Sequence, residues 1–283
     1  MEFRTIVDIP NPDFGIAPCE PLLFVGSCFA DNIGQRFKEE GFPVVINPFG
    51  TMYNPASVLH SLEKMSNEEL EMRNDGAGLS SFKTVFLTLG TNHVYRLKET
   101  GEIVDNCQKR PAALFQEEEL TLDACADYLQ QAVNMLRQHN PEVCIVLTVS
   151  PIRYRKYGYH ESQLSKATLL LAIDKLLRQT SDIRHLQYFP AYEIVNDELR
   201  DYRFYAADML HPSEQAVDYI WERLVDAYFS PEAKAYLKEW EPLKQALAHK
   251  PFNPDAPEYR AFMDKTMLKV EEIRKKYPTF HLW

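Results

Sequence analysis

The sequence contains no apolar run long enough to cross a bilayer, so no transmembrane helix is expected. Cysteine is scarce and poorly spaced for metal or disulfide work. The five are Cys19, Cys28, Cys107, Cys125 and Cys144, an odd number with no C-x-x-C pair. That weakens zinc-ribbon and disulfide-scaffold readings and fits a reducing compartment. Cys144, in VCIVLTV, and Cys125, in a helical pattern, read as small buried apolar residues. Positive charge is in deficit: 31 Lys and Arg against 41 Asp and Glu leave a net charge of −10. A phosphate-backbone binder is therefore disfavoured, and neither nucleic acid nor membrane is expected as a partner. There is no G-x-G-x-x-G, no Walker A, no H-E-x-x-H and no metal-ligand cluster at a recognised spacing. The opening MEFRTIVDIPNPDFG carries acidic residues and prolines where a signal peptide needs an apolar core. A cytoplasmic protein is the expectation.

What is present is an ordinary globular composition, 45% hydrophobic and 25% charged over 283 residues, ample for a large core. PLLFVG (21–26), VVI (44–46), TVFLTLG (84–90) and VCIVLTVSP (143–151) read as strands. The last is continuous and β-branched, as a buried parallel strand requires. Between them lie helical patterns. SCFADNIGQRFKEEG places Phe29, Ile33 and Phe37 on one face and is stopped by Gly41. PASVLHSLEKM begins with Pro55. Residues 117–139, 162–179 and 213–229 complete the set. RLKETGEIVD reads as a small hairpin, DGAG at 75–78 as a loop, and LQYFPAYEIV as a strand or extended segment. Alternation of strand and helix predicts an α/β fold with a mainly parallel sheet covered on both faces. Residues 1–230 are read as that domain, and 231–283 as a helical extension packed on it, broken at KPFNPDAPEY.

Sites in open parallel sheets gather at the carboxyl ends of strands. Those ends here carry Gly26-Ser27-Cys28, Gly90-Thr91-Asn92-His93 and Ser150-Pro151 followed by Arg153; the last predicted helix follows Asp208-Met209-Leu210-His211. An Asp and a His three residues apart can form a dyad, the carboxylate fixing the imidazole tautomer. The plainer reading is a helix-capping Asp beside a surface His. Ser27 or Cys28, at a helix start, could be a nucleophile favoured by free N–H groups. Equally, Ser27 could be a cap and Cys28 a buried small residue. Asn92 and Gly50 could donate to an oxyanion or could be turn residues. His93, Arg96 and Arg153 could contact substrate or be solvated.

FVGSCFADNIGQRF resembles the opening signature of the GSCFA family, whose name spells it. NPFGTMYNP, TLGTNHVYR, SPIRYR with SQLSKA, and DYRFYAADMLHPSEQAV are similar to that family too, covering about residues 20–220. The family looks like a branch of the SGNH/GDSL-type hydrolases. The resemblance implies a three-layer α/β/α, flavodoxin-like fold. It also implies esterase or acyltransferase chemistry with a nucleophile, an Asp and a His, and no cofactor. On this sequence the Asp and His fall on Asp208 and His211, and the oxyanion donors on Gly50 and Asn92, with His93 replacing the usual Asp; the backbone N–H at 27/28 would complete the oxyanion site. The first block departs from the pattern. Matching G-S-C to G-D-S without a gap puts Cys28 at the nucleophile position, whereas a serine nucleophile requires Ser27 one residue earlier. One residue turns a side chain by about 100° at a helix start, so both cannot face one imidazole. The expected substrate is an acyl ester, small or glycan-linked. The alternatives are a catalytically degenerate binding module for glycan or protein, and, more weakly, a phosphate- or nucleotide-handling protein.

Overall fold

The computed structural model describes residues 4–67, 78–105, 107, 110–180, 183–253 and 255–282. Of the DGAG loop only Gly78 lies among them. The chain alternates β1 (Leu22–Gly26), α1 (Cys28–Glu39), β2 (Val44–Ile46), α2 (Pro55–Ser66) and β3 (Thr84–Leu89). A small antiparallel unit follows: β4 (His93–Leu97), β5 (Ile103–Val104) and β6 (Phe115–Glu119). Then come α3 (Leu122–His139), β7 (Cys144–Val149), α4 (Tyr159–Gln179), β8 (Leu186–Tyr188) and the single turn α5 (Ala191–Glu193), which continues as a π-helical segment, Ile194–Leu199. The last helices are α6 (Glu214–Tyr228), α7 (Pro231–Ala248) and α8 (Pro257–Lys276).

The central sheet has the order β2-β1-β3-β7-β8 and every pairing in it is parallel. β1 and β3 are buried throughout, and β7 is buried beyond Cys144, because helices cover both faces. Alternate residues serve the two sides. Phe24, Phe86 and Val146 face a core shared with α1, α6 and α7, where Phe24 and Phe86 stack at 4.5 Å. Leu23, Val25, Val85, Leu87, Ile145 and Leu147 face a second core shared with α2, α3 and α4. The fold is thus a three-layer α/β/α sandwich with a mainly parallel sheet. None of the helices among the described residues is long and apolar enough to cross a membrane.

One element differs from the sequence reading. The helix expected from residue 117 begins at Leu122, capped by the Thr121 hydroxyl on the Ala124 N–H. Residues 115–119, FQEEE, instead form β6, an edge strand paired with β4. Its acidic side chains meet their partners across the strands: Tyr95 O–H donates to Glu117 at 2.9 Å and Arg96 Nε to Glu118 at 2.7 Å.

The carboxyl-terminal helices close over the far end of α1. Trp240 Nε1 donates to Glu39 O at 3.2 Å, Tyr236 O–H to Glu40 O at 2.5 Å, and the His281 N–H to Gly41 O at 2.9 Å. These groups satisfy carbonyls that a helix end leaves unpaired.

The exit from β1 is the tightest point of the sheet. Gly26 has φ +146°, and a Cβ there would lie 2.1 Å from Thr88 O. Gly26→Ala is therefore expected to destabilise the protein by about 3 kcal/mol or more, measured by urea unfolding. Gly50 has φ +90° but nothing within 4 Å of an added Cβ. Gly50→Ala should lose only backbone strain, about 1–2 kcal/mol. Equal losses in the two variants would contradict the close approach at Gly26.

Candidate active site

Beyond Gly26 the chain turns directly into α1. Ser27 is the N-cap: its Oγ accepts from the Phe29 N–H at 3.3 Å and lies 3.2 Å from Thr88 Oγ1, and the residue is fully buried. Ser27 therefore faces into the sheet, between β1 and β3. Cys28, the first helical residue, points the other way. Its Sγ lies 3.6 Å from His211 Nε2. The extended backbone of the cap (ψ 171°) before the first helical residue thus separates a capping serine from a thiol at the imidazole.

The dyad is built by its own loop. Asp208 Oδ1 accepts from the N–H groups of Leu210 (2.9 Å) and His211 (3.0 Å), and Oδ2 lies 2.5 Å from His211 Nδ1. One carboxylate thereby fixes both the backbone turn and the ring, leaving Nε2 toward the sulfur. Those two N–H groups and the imidazole hold the Asp208 carboxyl well below the usual carboxylate range. The loop is closed by a bridge between Tyr205 and Pro212, and Ser213 caps α6 immediately after it. Both dyad side chains are 43% exposed. The dyad is open to water.

Arg153 reaches the same loop. Its N–H donates to Leu210 O at 3.1 Å and its Nη1 to Met209 O at 3.3 Å. Its guanidinium lies over the rings of Tyr159 and Tyr205, at 4.3 and 5.3 Å. It borders a cavity of about 260 Å³, lined also by Gln163, Asn196, Arg200, Tyr202 and Tyr205.

Four expected site residues are placed otherwise. The Gly50 N–H donates to Asn47 O at 2.8 Å, closing its own turn. Asn92 is 2% exposed and its amide donates to Leu120 O at 2.9 Å, tying the start of β4 to the end of β6. The Gly50 N–H and one N–H of the Asn92 amide are thus taken up within the fold. His93 is buried and stacked on Tyr157 at 3.8 Å. Arg96 is paired with Glu118 in the small sheet. Of the nine expected residues, the structure brings Cys28, Asp208, His211 and Arg153 together.

Sequence reading missed Asp31, Asn47 and Lys166. Asn47 accepts from the Gly26 N–H at 2.8 Å and donates to Asp31 at 2.9 Å, locking the turn after β2 to the β1–α1 junction. Lys166 is 2% exposed, and its Nζ donates to Gly90 O (2.6 Å) and Ser150 O (2.7 Å) at the ends of β3 and β7. Its helix offered a signal. The inward stripe of α4 runs Ser162, Ser165, Lys166, Leu169, Ala172, Ile173, Leu176, with lysine where the period calls for an apolar residue. Burial pushes the Lys166 ammonium down to about 7, and a Cys28 thiolate would raise it. Among the described residues no group of three His, Cys, Asp or Glu is placed to hold a metal ion.

The Cys28 thiol is pushed up, first by burial and next by the Asp31 carboxylate; its own N–H and the Lys166 ammonium oppose this, and Asp208 adds to it. Asp31→Asn removes one of the raising charges. The thiol pKa should fall, and iodoacetamide should alkylate Cys28 faster at neutral pH. A pH–rate profile read on the Cys28 peptide checks this. An unchanged profile would show that the Asp31 field does not reach the sulfur.

The sequence matches the model of the GSCFA family over residues 21–78 and 71–224, and that of the GSCFA domain protein, C-terminal domain, over residues 240–282. No curated protein matches it. Among solved structures it resembles one from Streptococcus pneumonia described as a platelet activating factor (14% identity, TM-score 0.47, 75% of this chain and 84% of that one). It also resembles a protein from Parabacteroides merdae described as a GDSL-like lipase (12%, 0.46, 76% and 98%) and an acetyl-xylooligosaccharide esterase from Geobacillus Stearmophilus (13%, 0.43, 76% and 96%). At these scores the work of assigning chemistry falls to the site itself. With family models matching nearly all of residues 21–282, the chain belongs to the GSCFA family.

Proposed function

We propose that this protein is an acyl-ester hydrolase working through a thioester on Cys28. The observation that carries the reading is the line of atoms from Cys28 Sγ through the His211 ring to Asp208, at 3.6 and 2.5 Å, at the carboxyl end of a parallel sheet. Because burial and Asp31 favour the thiol form at rest, His211 acts as a general base during attack rather than as partner of a standing thiolate. The thiol proton passes to His211 Nε2, the S–C bond forms, and the carbonyl π pair moves onto oxygen. Collapse expels the alkoxide, which takes the proton from His211. Water, activated by the same imidazole, then cleaves the thioester to the free acid and restores the thiol. Asp208 stabilises the imidazolium at each stage.

Exposure of the dyad supports hydrolysis over transfer, since water reaches the acyl-enzyme without a protein motion. The acyl group is proposed to sit on a carbohydrate or another small alcohol, with the cavity beside Arg153 receiving the leaving group. A degenerate binding module is the second reading. It draws on the engagement of both expected oxyanion donors, Gly50 and Asn92, elsewhere in the fold.

p-Nitrophenyl acetate is the test reagent. Wild-type protein should form an acetyl adduct on the Cys28 peptide, found by mass spectrometry, with turnover of p-nitrophenolate. Cys28→Ala should lose the adduct, and His211→Ala should slow turnover by on the order of 10⁴-fold or more. Ser27→Ala should keep the adduct while losing about 1 kcal/mol of stability as a cap. Labelling that ignores His211, without turnover, would favour the binding module. Labelling at Ser27 would overturn the thiol assignment.

A further inference from the structure

A thiol that attacks a carbonyl creates a negative oxygen, and catalysis requires donors aimed at it. The two donors that the family pattern offers, Gly50 and Asn92, bond to Asn47 O and Leu120 O. The Cys28 N–H, at the first position of α1, faces its own sulfur and favours negative charge there. One backbone N–H alone is a poor oxyanion site.

The neighbouring strand end supplies another donor. β3 lies beside β1 with Thr88 opposite Gly26, and Gly90 follows β3. Above Gly90 stands the Tyr154 hydroxyl, 2.5 Å from where a Cβ on that glycine would be. Tyr154 comes from the loop after β7, and its ring lies edge-on to Tyr53 at 6.1 Å. The hydroxyl is buried and neither donates to nor accepts from any described residue. That is an unfavourable state for a polar atom, and phenylalanine would fill the same space without it. The hydroxyl is also close enough to Cys28 that a thiolate there, after burial, raises its pKa. Lys166 Nζ lies 5.3 Å from the ring centroid, with no carboxylate among its hydrogen-bond partners.

We propose that the Tyr154 hydroxyl, together with the Cys28 N–H, receives the oxyanion formed at Cys28, with the Lys166 ammonium as the positive charge behind it. Tyr154 is then a catalytic residue in the place that a family asparagine would take, and Lys166 a positioning residue that acts through its field and by tying Gly90 to Ser150. Gly90 is glycine because any side chain there would displace the hydroxyl. The proposal rests on the acyl-transfer reading above and adds to it the identity of the donor.

Two reagents separate the two ideas. Acylation of Cys28 by p-nitrophenyl acetate passes through an oxyanion; alkylation by iodoacetamide, a displacement at a saturated carbon, does not. Both rates are read on the Cys28 peptide in wild type and in Tyr154→Phe, with free cysteine as reference. Tyr154→Phe should slow acylation on the order of 10²-fold. Alkylation and its pH profile should stay as in wild type, which also reports that the variant is folded. If acylation is unchanged while wild type outpaces free cysteine, Tyr154 is not the donor and the acyl-transfer reading stands. A parallel loss in both reactions would place the effect on thiol ionisation and overturn the proposal. Wild type acylating no faster than free cysteine, relative to alkylation, would remove the acyl-transfer reading and this proposal with it.

Discussion

The site depends on how β1 ends. Gly26 passes so close to the Thr88 backbone that no side chain fits, and its φ of +146° turns the chain straight into α1. Two consequences follow within two residues. Ser27 falls between the strands and caps the helix, and Cys28 emerges on the opposite side, against His211. Without the glycine, the cap and the thiol could not both be reached in consecutive positions. Asn47 reinforces the arrangement by holding the Gly26 N–H and the Asp31 carboxylate at once, so β2's loop, β1's end and the first turn of α1 form one locked unit.

Much of this was legible in the residues. Continuous apolar runs gave the parallel strands, the i, i+4, i+8 spacing of Phe29, Ile33 and Phe37 gave the buried face of α1, and D-x-x-H gave the dyad. The hairpin at RLKETGEIVD is present as β4 and β5. What was not legible was hidden for identifiable reasons. β6 carries three glutamates whose partners lie on another strand, so its local pattern resembles the first turn of a helix. The choice between Ser27 and Cys28 turned on a side-chain direction that depends on the positive φ at Gly26. Gly50 and Asn92 were carried over by motif, but a motif fixes residue type and not what each polar atom bonds to. Their hydrogen bonds to Asn47 and Leu120 are decided by the turn after β2 and by the β4–β6 corner.

Charge near the sulfur is arranged in opposition. Asp31 and Asp208 favour the thiol, and Lys166 favours the thiolate. A buried lysine bound only to carbonyls is an expensive feature in a protein of net charge −10, which has no shortage of carboxylates to pair with it. Its ammonium is stabilised when negative charge appears at Cys28. By reciprocity, the lysine stabilises that charge. Such a group is poorly matched to a resting thiol and better matched to an ionised one, which is the direction that the proposed acyl transfer requires.

The carboxyl-terminal helices bear on the same chemistry from a distance. α1 is 12 residues long, about 18 Å, with the thiol at its first position and Glu39 at its last. The carbonyls of Glu39, Glu40 and Gly41 are taken by Trp240, Tyr236 and His281. Trp240 and Tyr236 are themselves fully buried against the core that packs α1 on Phe24 and Phe86. A helix is a stiff rod, so its far end fixes the direction of its near end. Unpaired carbonyls buried at Glu39 and Glu40 would be untenable, and relieving them would require α1 to shift or fray. The 3.6 Å separation of sulfur and imidazole spans two elements distant in sequence, α1 and the loop before α6. The helices after Ser230 therefore act as the anchor that holds α1, and with it Cys28, in register with His211.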